Sequence, residues 1–146
     1  MSKPLKEDYI IRIKSRIEQH VEEPAEEEEK EEFVELMTRG KFTQRGSAFY
    51  IVYEETEATG YAGCTTTVKA SLDGQQVVMT RFGKVPSQLV IEKGIRHICH
   101  YETGYGSISL GVAADVIEHD LAETGGRLKF SYTLDSGGEN FISRNL

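Results

Sequence analysis

The stretch GIRHICHYETGYG, residues 94–106, carries two histidines, a cysteine and two tyrosines. His97 and His100 have the His-x-x-His spacing that can serve a metal on a helix. On a strand, residues three apart point to opposite faces, so the two imidazoles cannot share one ion. His97 shares its face with Cys99, Tyr101 and Thr103 instead. One imidazole and one thiol fall short of the four ligands of a structural zinc, and Cys64, His20 and His119 would have to converge from elsewhere. The reading is therefore no metal and no cofactor. In TGYGSISLG, Gly104, Gly106 and Gly111 miss the G-x-G-x-x-G phosphate spacing, and an alternating stretch follows in place of a helix start. No nucleophile elbow, P-loop, HExxH or EF-hand loop is present. With no nucleophile–base–orienter set visible, no catalytic residue is assigned and an enzyme is the least supported class.

A second constellation lies in FYIVYEE and VVMTRF. Glu55 shares the face of Phe49, Ile51 and Tyr53. Arg81 shares the face of Val77 and Met79. If both faces point inward, a carboxylate and a guanidinium occupy one interior, paired directly or across a ligand, because buried charges are costly alone. The competing reading puts both at the rim, since each ends its strand. Tyr53, Glu55 and Arg81, with His97, Tyr101, Thr103 and Tyr132, form the candidate ligand lining. The same residues also suit a satisfied core.

These side chains need strands to position them, and alternation supplies the signal. In DYIIRIKSRIEQHV, Ile11, Ile13, Ile17 and Val21 share one face while Arg12, Lys14, Arg16, Glu18 and His20 share the other. In RLKFSYTLD, Leu128, Phe130, Tyr132 and Leu134 alternate with Arg127, Lys129, Ser131 and Thr133. Period two marks half-buried antiparallel strands. Glycines recur mostly every 9–15 residues, a rhythm of short strands and turns. Asp73-Gly74 divides TTTVKASL from QQVVMTRF and predicts a two-residue type I′ hairpin. In SISLGVAADVIEHDL the apolar parity shifts at Ile117, which predicts a β-bulge. A helix from Gly111 to Leu121 is the competing reading of that segment. Helix-start signals in PAEEEEKEEFVELM compete with a strand over about residues 31–44, but the run of like charges favours a flexible acidic loop at 22–30.

The charge is localised. Residues 22–32 hold eight glutamates and one lysine and account for the whole net charge of −7; the other 135 residues balance. A balanced body offers no footprint for nucleic acid or an anionic membrane. The N-terminus lacks a signal-peptide apolar run, no span suits a membrane helix, and two cysteines are too few for a disulfide framework. The expected location is the cytoplasm, with reduced thiols.

In order and content, TRGKFTQRGSAFYIVYEE, TTTVKAS, VVMTRFG, YETGYGSISLGV and GGRLKFSYTL resemble the small YwiB-like bacterial proteins, a family of unknown function. The resemblance runs from about Tyr9 to Leu146. Its most specific pieces are Tyr53-x-Glu55, Thr67-x-Lys69, Arg81-x-Gly83 and Tyr101-x-Thr103-x-x-Gly106. It implies a calycin-like antiparallel barrel, similar in shape to lipocalins, and brings no activity or site assignment. The expectation is one all-β domain over residues 1–146, an antiparallel up-and-down barrel of about eight to ten strands, with the acidic loop between its first two strands. Such a barrel either holds one small apolar or amphipathic ligand or is filled by side chains. A filled barrel would act through its surface, with residues 22–32 meeting a basic protein partner. An exposed last strand leaves a homodimer open.

Overall fold

The computed structural model describes residues 6–20, 30–57, 60–102, 105–135 and 141–145. Ten strands follow one another: β1 (Lys6–His20), β2 (Lys30–Arg45), β3 (Ala48–Glu54), β4 (Thr65–Ser71), β5 (Gln76–Phe82), β6 (Ser87–Glu92), β7 (His97–Glu102), β8 (Ser107–His119), β9 (Leu128–Asp135) and β10 (Phe141–Asn145). Each pairs antiparallel with its chain neighbours, and β10 also pairs with β1, so the sheet closes into an up-and-down barrel. Among the described residues no helix is long and apolar enough to cross a membrane.

The alternation read from the sequence is the alternation of burial. Val68 and Ala70 on β4, Val77 on β5, Leu89 and Ile91 on β6, and Phe130, Tyr132 and Leu134 on β9 are buried. Ile11 and Ile13 pack against this core, while Arg12 and Lys14 between and beyond them are exposed. The segment 111–119 is strand, not helix. Its register shifts between Ala114 and Val116, and beyond the shift Ile117 is buried opposite Phe130. One extra residue turns the apolar set back toward the core. Residues 30–45 are strand as well, paired with β1 from Lys30 to Phe42. The acidic loop expected at 22–30 lies outside the described residues except for Lys30.

Two expectations are corrected. The β4–β5 hairpin falls where Asp73-Gly74 placed it, but it is not type I′. That turn requires positive φ at both central residues, and of Asp73 and Gly74 it is Gly74 alone that has it, at 71°. Gly74 N–H donates to Ser71 O at 3.0 Å, closing a turn with Leu72 and Asp73 at its centre. The Ser71 hydroxyl then accepts from the N–H groups of Gln75 and Gln76. Side-chain acceptors here make the wider loop satisfactory without a second left-handed residue. The second correction concerns the last strand. Residues 141–145 pair with β1 on one side and β9 on the other, so among the described residues the last strand is not an exposed edge.

Candidate functional site

Arg81 is the first feature the strands position. It faces inward on β5, opposite Thr66 on β4 and Ser87 on β6, and only 7% of it is exposed. Its Nε donates to Val85 O at 2.5 Å, one terminal nitrogen to Glu102 O at 2.8 Å and the other to the Tyr101 hydroxyl at 3.3 Å. The guanidinium also lies over the Tyr61 ring, 3.6 Å from its centroid. A planar fork suits this arrangement because its donors leave in fixed directions while its face stacks. The Tyr61 and Tyr101 hydroxyls are 3.2 Å apart. Burial, then the hydrogen bond to Tyr101, holds the Tyr61 phenol above its ordinary value of 10.0. Glu55, just past β3, accepts from the Thr66 hydroxyl at 2.6 Å, and Thr66 is the cross-strand partner of Arg81.

Glu55, Arg81 and Tyr101 are thus brought to one end of the barrel, with Tyr61 added from the β3–β4 connection. The other candidates are not gathered there. His97 begins β7 and Tyr101 is its fifth residue, a separation of about 13 Å along a strand. His97 Nε2 lies 3.1 Å from Glu92 Oε1, which also accepts from Gln76. His100 is exposed on the opposite face of the strand, 3.4 Å from the Ser109 hydroxyl. Tyr132 is fully buried in the core, its hydroxyl 4.0 Å from the Met79 sulfur. Thr103 lies outside the described residues. Tyr53 is buried, and it alone of the candidate set lines the cavity described next.

That cavity, of about 720 Å³, opens through the barrel wall. The five described residues of β10 pair with Arg16–His20 of β1 and with Ser131–Asp135 of β9. Beyond them, Tyr9–Lys14 of β1 and Leu128–Phe130 of β9 flank the cavity, and among the described residues no strand lies between them. Ile11, Ile13, Ile51, Val68 and Phe130 contribute an apolar interior. Arg12 and Lys14 on β1, and Arg127 and Lys129 at β9, line it from the exposed side of the same strands. One end is bounded by the β8–β9 connection. There Gly125 packs toward the Tyr9 ring, and the Tyr9 hydroxyl donates to Glu123 O at 3.5 Å. Gly126 lets that connection turn: its φ is 139°, and a Cβ would sit 2.5 Å from Asp120 O.

A volume of this size falls within the range of about 300–1,000 Å³ typical of small-molecule sites. The fold and this opening define a closed antiparallel β-barrel with a lateral cavity at an incompletely paired seam. The chain belongs to the DUF1934 family, described as a domain of unknown function, whose model matches residues 11–146. Its fold is similar to that of the crystal structure of ywiB protein from Bacillus subtilis, with a TM-score of 0.65 and 23% identity over 97% of this chain and 92% of that one. No curated protein matches the chain.

Proposed function

We propose that the protein is a small-molecule binding barrel whose ligand is amphipathic and lodges its apolar part at the β1–β9 seam. The observation that carries this reading is the cavity of about 720 Å³ between Tyr9–Lys14 of β1 and Leu128–Phe130 of β9. A filled barrel would bring side chains or a paired strand to that place. The bounded shape favours a compact ligand over a through-running peptide, since β10 stands at one end and the Tyr9–Glu123 contact at the other. Cys64 and Cys99 are both free and buried, in keeping with the cytoplasmic location we propose.

Titration with N-phenyl-1-naphthylamine, a neutral apolar fluorophore, tests the reading. The expected result is saturable binding at one site per chain, weakened about tenfold or more by Ile13→Trp, which fills the cavity from β1. Fluorescence that rises without saturation, or binding indifferent to Ile13→Trp in a folded variant, refutes it.

A further inference from the structure

The charge around the seam goes further than the cavity's shape. The chain as a whole carries −7, with 24 acidic residues against 17 basic. Yet among the described residues those lining the cavity include four cations, Arg12, Lys14, Arg127 and Lys129, and no carboxylate. Their arrangement follows from strand geometry. Ile11 and Ile13 alternate with Arg12 and Lys14 on β1, and Leu128 and Phe130 alternate with Arg127 and Lys129 at β9. Across the unpaired seam, apolar residues therefore face each other inside and basic residues face each other outside. Glu35 stands across from Lys14 on β2 and Glu118 across from Lys129 on β8, but neither lines the cavity.

We propose that the bound amphiphile carries an anionic head group, a carboxylate or a phosphate, held at the outer rim by Arg12 and Lys14 from one wall and Arg127 and Lys129 from the other. This rests on the small-molecule reading of the seam and adds the head-group chemistry to it. An anion spanning the two walls receives charge-assisted hydrogen bonds from strands that, among the described residues, no intervening strand joins there, while its chain follows the apolar residues inward. Arg12 and Arg127 present planar forks suited to either oxyanion.

Displacement of bound N-phenyl-1-naphthylamine by four C12 amphiphiles below their micelle concentrations tests the proposal. The set is laurate, dodecyl phosphate, dodecanol and dodecyltrimethylammonium. Laurate or dodecyl phosphate is expected to displace the probe about tenfold better than dodecanol, and the cation worst. The ratio of the two anions distinguishes a carboxylate from a phosphate site. In the variant Arg12→Glu/Arg127→Glu the preference for anions over dodecanol is expected to vanish, and a preference that persists in the folded variant overturns the proposal. Raising salt on the unmodified protein is expected to weaken laurate and leave the probe unchanged, a check that needs no variant. Equal displacement by dodecanol and the anions, with probe binding intact, overturns the head-group proposal and spares the cavity. Absence of saturable probe binding overturns the cavity reading itself.

Discussion

Arg81→Met removes a buried cation while keeping most of its apolar stem. The side chain satisfies two backbone carbonyls, Val85 O and Glu102 O, and the Tyr101 hydroxyl. These sit in or beside two different connections at one end of the barrel, and Tyr61 beneath the guanidinium belongs to a third. Hydrogen bonds to a charged group contribute about 1.5–3 kcal/mol each, and stacking on the Tyr61 ring roughly 1 kcal/mol more. The bonds are not additive, and some of the freed carbonyls will reach water. A loss of about 3–5 kcal/mol is expected, in line with removing one partner from a buried charged contact. At 7% exposure the guanidinium is screened too little to lower this much. For a chain of this length that corresponds to a fall of about 10 °C in Tm, and to about 2 M in urea midpoint for a slope near 2 kcal/mol/M. Arg81→Lys should recover less than half, because an ammonium cannot reach three diverging acceptors and stack on the ring. Equilibrium urea unfolding by circular dichroism measures all three proteins. A loss under about 1 kcal/mol for Arg81→Met would show that the barrel end holds together without it. The same series with Glu55→Gln asks whether Thr66 couples the two charges, and a coupling of about 1 kcal/mol is expected.

Two further outcomes are expected. Gly126→Ala should cost about 2 kcal/mol in urea unfolding and weaken probe binding at the seam, because a Cβ at φ 139° meets Asp120 O in the loop bounding the cavity. The Asp73 carboxyl, held by the Ser71 hydroxyl and the Gln75 N–H, titrates below its ordinary 3.8. Its contribution is therefore present above that value and is lost as pH falls through the lower folded value. Asp73→Asn should be less stable than the unmodified protein at pH 6, and the gap should close in acid; a gap independent of pH between 6 and 2 would remove the carboxylate from the explanation.

The strands were legible because burial on one face imposes period two directly on the residue order. Ile11, Ile13, Leu128 and Phe130 needed no knowledge of their neighbours to be read as inward. The β8 bulge was legible for the same reason, as a break in that period. The turn at Gly74 was placed but mistyped, because the Ser71 hydroxyl stabilises a wider loop and a dipeptide rule does not see it. The Arg81 end was half legible. Glu55 and Arg81 follow from parity, whereas Tyr61 sits in an irregular connection with no period to place it. His97 was grouped with Tyr101 because parity fixes the face but not the height along the strand. Glu92, five residues upstream, is its partner at the other end.

The seam was invisible for a deeper reason. Arg12 and Lys14, like Arg127 and Lys129, read as ordinary solvated faces of two strands far apart in the chain. They form one rim because part of β1 lies across from β9 with no strand between them among the described residues. The antiparallel order also sets the Arg81 network apart from the seam. The β3–β4, β5–β6 and β7–β8 connections share the end that Arg81 ties together, while the β8–β9 connection that bounds the cavity lies at the other. On the proposed reading a ligand enters through the side of the barrel near β1. Mutations that loosen the Arg81 end should lower stability while leaving probe affinity at the seam unchanged, at temperatures where the variant is folded. If Arg81→Met abolished probe binding under those conditions, the entrance would have to be sought at the barrel's end.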